Sequence, residues 1–315
     1  METAKRGIHN SFRARNEISR MLKLEPATAP TRAASCHEIV VEPNRGWLRI
    51  DWREMWEYRD LLVLLVRRDF LAKYKQTLLG PAWFIVQPLL TTVMFVIVFG
   101  RVAQIPTDGI PAPLFYLCGL LAWNYFAQNV AAGATTFTAN AQLFGKVYFP
   151  RLIVPLATIV SNLFAFVLQL APFIVVFGYY KFFTGEGANI SVDWRVLLVP
   201  LLLLQTSLFS LGVSLWMSAS TAKYRDLVHL NAFIIQLWMF ATPVIYPLSK
   251  IPARLEWLAW LNPMAAIVEA FRIVLLGRGT LSVGCLVTSI VATLAVTVSG
   301  IVIFQKMERT AVDRV

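Results

Sequence analysis

Charged residues along this chain are bunched, and the intervals between the bunches are long and apolar. Twenty-five uncharged positions separate Lys75 from Arg101, 37 separate Asp108 from Lys146, and 29 separate Arg151 from Lys181. A further 27 lie between Arg195 and Lys223, 23 between Asp226 and Lys250, and 27 between Arg278 and Lys306. About 20 helical residues cross the hydrocarbon layer of a bilayer, so each interval holds one spanning helix and the pattern predicts six. A seventh apolar stretch, WLAWLNPMAAIV from Trp257 to Val268, has only 12 residues between Glu256 and Glu269, with Pro263 in its middle. It is too short to cross. It predicts a re-entrant or interfacial hairpin between spans five and six.

The segment before the first interval has a different pattern. Residues 1–45 are polar, basic and rich in Ala, Arg and Pro, which predicts a disordered tail. On a helix of 100° per residue, Met55, Trp56, Tyr58, Leu62, Val63, Leu65, Val66, Phe70 and Tyr74 share one side, and Arg53, Glu54, Glu57, Asp60, Arg67, Arg68 and Lys75 the other. Arg59, Asp69 and Lys73 fall in the apolar arc and three leucines in the polar one. Residues 46–77 are therefore expected to form an amphipathic interfacial helix. Gly80 and Pro81 then turn the chain into a membrane domain over 78–315. This helix suits three roles: an anchor, a docking face, or a basic portal in which Arg67, Arg68, Lys73, Tyr74 and Lys75 receive an anionic lipid headgroup.

Composition agrees with the pattern. Of 315 residues 57% are hydrophobic and 15% charged, whereas a soluble domain carries about a quarter charged. The 29 basic residues decide orientation. With the N-terminus in the cytoplasm, 22 lie on that side and 7 on the other, four of the seven in the segment from Lys250 to Arg278. Both termini are expected inside, in a multi-pass membrane protein.

Several chemistries are excluded. Gly145–Lys146 is followed by Val147 and lacks the upstream glycine of a P-loop, so the chain does not bind ATP that way. Cys36, Cys118 and Cys285 have no framework spacing, and the three histidines are too scattered for a metal site. No Asp, Glu, Lys or Arg falls within the six spans, and His229 is the one titratable side chain near an end of span five. Ion-coupled carriers keep intramembrane charges, so a transporter of this sequence must be driven from elsewhere. Two other classes stay open: an ion-coupled secondary carrier, and a membrane-embedded glycan enzyme using Asp51 or Asp108.

Four stretches carry a resemblance. They are EPNRGWLRIDWREMWEYRDLLVLLVRRDFLAKYKQTLLGPAWFIVQPLL from Glu42, FGKVYFPRLIVPL from Phe144, KYRDL from Lys223, and TPVIYPLSKIPARLEWLAWLNPMAAIVEAFR from Thr242. In this order the chain resembles the permease subunit of type-2 ABC exporters, in the group exporting polysaccharides and polyol phosphates such as O-antigen, capsule and teichoic acid. The resemblance covers nearly everything after the tail. It implies an all-α membrane protein with six transmembrane helices, working as a homodimer in the bacterial inner membrane. Two separate ATPase subunits would bind ATP and Mg, with no cofactor in this chain and no nucleic acid partner. The substrate implied is a lipid-linked glycan such as O-antigen.

The same resemblance assigns roles to residues. Leu143, Phe144, Lys146, Val147, Tyr148 and Arg151 correspond to a coupling helix seated in the ATPase, with Tyr224, Arg225 and Asp226 as a second contact. Phe84, Phe95 and Phe99 of the first span and Phe233, Gln236 and Phe240 of the fifth fall on stripes suited to lining a sugar channel. Tyr246, Trp257, Trp260 and Asn262 would form an outer gate; the two tryptophans suit a membrane interface equally well.

Overall fold

In a computed structural model of the chain, the described residues run from 52 to 312, apart from 75–77, 147–148, 185–192, 225, 253 and 255. The tail expected over 1–45 lies outside them. No strand occurs among the described residues. The described part of the segment expected to be interfacial forms two helices, α1 (Trp52–Glu57) and α2 (Arg59–Tyr74), separated by a turn at Tyr58. Gly80 follows at φ +50°, a conformation that glycine adopts without steric cost, and Pro81 starts the next helical turn. From there α3 (Trp83–Phe95) continues through a wider helical turn over Val96–Val102.

The remaining helices are α4 (Ala112–Ala134), α5 (Thr136–Ala139), α6 (Ala141–Lys146), α7 (Ile153–Phe183), α8 (Val199–Lys223), α9 (Leu227–Ala241), α10 (Glu256–Leu261), α11 (Pro263–Leu276) and α12 (Val283–Val312). Four of the six predicted intervals contain a helix long and apolar enough to cross a membrane: Gly80–Val102, Ile153–Phe183, Trp194–Lys223 and Val283–Met307. The other two differ for separate reasons. Helix α9 has 15 residues, about 22 Å of rise, and ends where the chain turns through Thr242 and Pro243. Helix α4 has 23 residues but carries Asn124, Gln128 and Asn129, and 16 of its positions are buried by neighbouring helices.

That burial makes α4 the axis of the bundle. It packs against α3, α7, α8, α9 and α11, with Leu114, Phe115, Tyr116, Cys118 and Phe126 almost wholly enclosed. Phe126 stacks on Phe209 of α8, and Trp238 of α9 meets both rings edge-on. Helices α8 and α12 cross closely because small residues meet there. A Cβ on Gly212 would lie 2.6 Å from the Val296 backbone, and one on Gly300 would lie 2.5 Å from the Gly212 carbonyl oxygen. In hydrocarbon, where water supplies no driving force between helices, such close backbone approach is what holds them.

Candidate functional site

One end of the bundle gathers α2, α6 and the start of α7. Leu65 and Val66 of α2 are buried there with Phe149, Ile153, Val154 and Ala157, and Leu143 and Phe144 of α6 pack on the same cluster. Phe144 is half-buried, stacked on Phe149 with ring centroids 5.8 Å apart and facing Phe137 at 5.7 Å. The Arg151 guanidinium lies 5.4 Å from the Phe144 ring. The apolar face of the expected coupling helix is thus packed partly against its own chain, while Lys146 at the end of α6 is exposed. Val147, Tyr148 and Arg225 lie outside the described residues. Tyr224 is exposed beside Lys223, whose ammonium is 5.0 Å from its ring, and Asp226 is exposed.

Two of the basic residues expected to form a portal are turned onto protein partners. Arg68 donates from Nη2 to Asn140 Oδ1 at 2.9 Å and to Asp69 Oδ1 at 2.8 Å. Asn140 itself donates to the Thr136 carbonyl and directly precedes α6, so Arg68 straps α2 to the turn that leads into α6. Lys73 donates to Asn162 Oδ1 of α7 at 2.5 Å. The residue as a whole is exposed, but its ammonium end is partly buried against α7. That desolvation lowers its pKa from the ordinary lysine range, with the Asp69 carboxylate opposing the shift. Arg67 is exposed, with no ion pair among the described residues. Lys75 and the Tyr74 side chain lie outside them.

Behind Lys73 a line of hydrogen bonds enters the bundle. Asn162 Nδ2 donates to Asn129 Oδ1 of α4 at 2.7 Å, and Asn129 Nδ2 donates to Ser210 Oγ of α8 at 3.0 Å. Ser210 Oγ donates to the Ser207 carbonyl, and Ser207 Oγ is 2.7 Å from the Tyr125 hydroxyl. Asn129, Asn162 and Ser210 are buried. Apart from the Ser210–Ser207 bond within α8, each step of this line joins two helices, so α2, α7, α4 and α8 are held in one register.

The opposite end of α4 carries the hairpin. Asn262 caps α11, accepting at Oδ1 from the Met264 backbone N–H and from Trp238 Nε1, both at 3.1 Å. Its Nδ2 donates to Thr242 Oγ1 at 3.0 Å. Asn262 therefore joins the end of α9 to the start of α11. Tyr246 donates to the Phe240 carbonyl, and Trp257 and Trp260 are exposed.

Within α11 sits an ion pair that the charge map alone assigns to an outer loop. Glu269 and Arg272 are buried, with Arg272 Nη1 donating to Glu269 Oε2 at 3.1 Å. Arg272 Nη2 donates to the Val244 carbonyl at 2.9 Å, and its guanidinium carbon lies 3.7 Å from the centre of the Phe115 ring. Glu269 Oε1 accepts from the Thr280 backbone N–H at 3.0 Å. Gly119 of α4 leaves room for the guanidinium, since a Cβ there would be 3.1 Å from Nη2. The pair ties α11 to α4 and to the chain on both sides of the hairpin. The opposite charges three apart in PMAAIVEAFRIVLL were the available signal.

The aromatic stripes divide. Phe95 and Phe99 meet edge-on at 5.3 Å and Phe95 meets Tyr116 at 5.8 Å, so both pack on the core, and Phe84 is half-buried. Phe233, Gln236 and Phe240 instead share an exposed face of α9 with Leu230 and Leu237. No group of three or more His, Cys, Asp or Glu side chains placed to hold a metal occurs among the described residues.

A family model described as ABC-2 type transporter matches residues 60–276. The O-antigen export system permease protein RfbA of Myxococcus xanthus is 36% identical over 224 residues, covering 70% of this chain and 82% of that protein. A protein of the same description from Klebsiella pneumoniae is 30% identical over 251 residues, covering 79% and 92%. The polysialic acid transport protein KpsM of Escherichia coli is 23% identical over 209 residues, covering 66% and 78%. With the family's match running from α2 through the buried ion pair to the end of α11, this helical membrane protein belongs to the ABC-2 type transporter family.

Proposed function

We propose that this chain is the membrane subunit of an ATP-driven exporter that moves a lipid-linked polysaccharide, such as O-antigen, out across a bacterial inner membrane. The likeness to O-antigen export permeases along more than two thirds of the chain carries this reading. In it, all six apolar intervals are spans, including α4 and α9, and both termini are cytoplasmic. Two copies form a homodimer, and the exposed face of α9 bearing Phe233, Gln236 and Phe240 lies toward the second copy and the polymer path. Two separate ATPase subunits bind ATP and Mg and dock at α6 and at Tyr224–Asp226. The chain itself is not an enzyme.

Arg67 supports the portal part of this reading, because it is exposed and unpaired among the described residues while Arg68 and Lys73 are engaged. A guanidinium holds phosphate oxygens through paired donors. The hairpin from Tyr246 to Asn262 serves as the outer gate, braced by the Glu269–Arg272 pair. Deleting the gene for this chain is expected to leave lipid-linked polymer on the cytoplasmic face, and an Arg67→Glu variant to do so in part. Normal surface glycan in the deletion strain defeats the proposal.

A further inference from the structure

A groove of about 440 Å³ runs between α8 and α12, backed by α11. Its walls include Leu201, Leu204 and Leu208 of α8, Ile290 and Leu294 of α12, and Ile273 of α11. Gln205, a polar side chain lining it, donates across to Ser289 Oγ at 2.9 Å and is thereby satisfied. Both side walls belong to helices long and apolar enough to cross a membrane. At one end of the groove stands Arg195, exposed, with no ion-pair partner among the described residues. Trp194 beside it is exposed too.

These features fix a depth and a charge. Tryptophan and arginine next to each other at the start of a spanning helix mark the headgroup level of a bilayer. From Leu198 to Leu208 the groove descends ten helical residues, about 15 Å. That is half the ~30 Å hydrocarbon thickness, the depth of one leaflet. A leucine-lined cleft of leaflet depth, open beside an exposed cation at headgroup height, is complementary to an anionic lipid. The geometry points to a phospholipid site in which Arg195 binds the phosphate of an anionic phospholipid and one acyl chain fills the groove. The leaflet is the outer one in the topology proposed above; the site itself does not depend on that orientation. Because Ile273 and Ala270 of α11 form the back wall, the bound chain also supports the helix that carries Glu269 and Arg272.

The test is native mass spectrometry of the full chain in its exporter complex, taken from bilayers of phosphatidylcholine with and without phosphatidylglycerol. The wild type is expected to retain one phosphatidylglycerol per chain in preference to phosphatidylcholine. Arg195→Gln should lose that preference by about fivefold, the worth of one interfacial basic residue. Leu201→Trp fills the groove from an exposed position and should release lipid of both kinds while leaving the fold intact. Equal retention of the two lipids by the wild type, or unchanged retention in both variants, overturns the site. So does efficient disulfide joining of two chains through Leu204→Cys in a cysteine-free background, because a second copy would then cover the groove.

Discussion

Arg68 and Asn140 are 72 positions apart in sequence and joined by a 2.9 Å hydrogen bond. One lies on the helix proposed to receive the lipid headgroup, the other on the turn leading into the helix proposed to meet the ATPase. A displacement of α6 therefore pulls directly on α2, through this bond and through the shared cluster of Leu65, Val66, Leu143 and Phe144. The proposed portal and the proposed ATPase contact are thus mechanically adjacent.

The strap should be measurable by a double-mutant cycle. Arg68→Gln and Asn140→Ala are each expected to reduce export, and the double variant to be less defective than the sum. A coupling of about 0.5–1 kcal/mol is expected for a half-exposed charge-assisted bond. Strict additivity of the two defects in export assays rules the strap out.

How much of this was legible in the sequence depends on what kind of contact was involved. The apolar intervals, the turn at Gly80–Pro81 and the break around Pro263 follow from local composition, and the helices begin and end close to them. The fate of α4 does not, because its uncharged interval reads the same whether lipid or protein surrounds it. Asn129, Asn140 and Asn162 carry no local signature; their roles arise only when α2, α4 and α7 come together. Arg68 and Lys73 look like free surface cations for the same reason. Glu269 and Arg272 had a visible spacing, but their burial depends on Phe115 and Gly119, which lie on another helix.

The Glu269–Arg272 pair predicts strong asymmetry between single and double replacements. Glu269→Gln or Arg272→Met alone leaves an uncompensated buried charge and should cost about 3–5 kcal/mol. The double variant should recover much of the loss. Thermal unfolding in detergent checks this, and equal damage in all three variants contradicts it.

Phe144 and Lys146 should separate folding from docking. Phe144→Ala removes a half-buried ring packed on Phe137 and Phe149, so it should lower the unfolding temperature as well as ATPase binding. Lys146→Ala, at an exposed position, should weaken ATPase binding alone. A Phe144→Ala chain of unchanged thermal stability would show that the ring belongs wholly to the partner interface.

Topology is open to thiol labelling. Single cysteines at Thr107, Gly187 and Lys250, in a chain without its native cysteines, should react with an impermeant reagent from outside the cell. Cysteines at Lys146 and Lys223 should not. Outside labelling at Lys146 would reverse the orientation and place α6 away from any cytoplasmic ATPase.

The most direct measurement is transport itself, in vesicles holding this chain and its partner ATPase with lipid-linked polysaccharide supplied on the ATPase side. Export is expected to require ATP hydrolysis, to stop when the ATPase is omitted, and to be indifferent to a proton gradient. Export by this chain alone, driven by a proton gradient without nucleotide, would contradict the account.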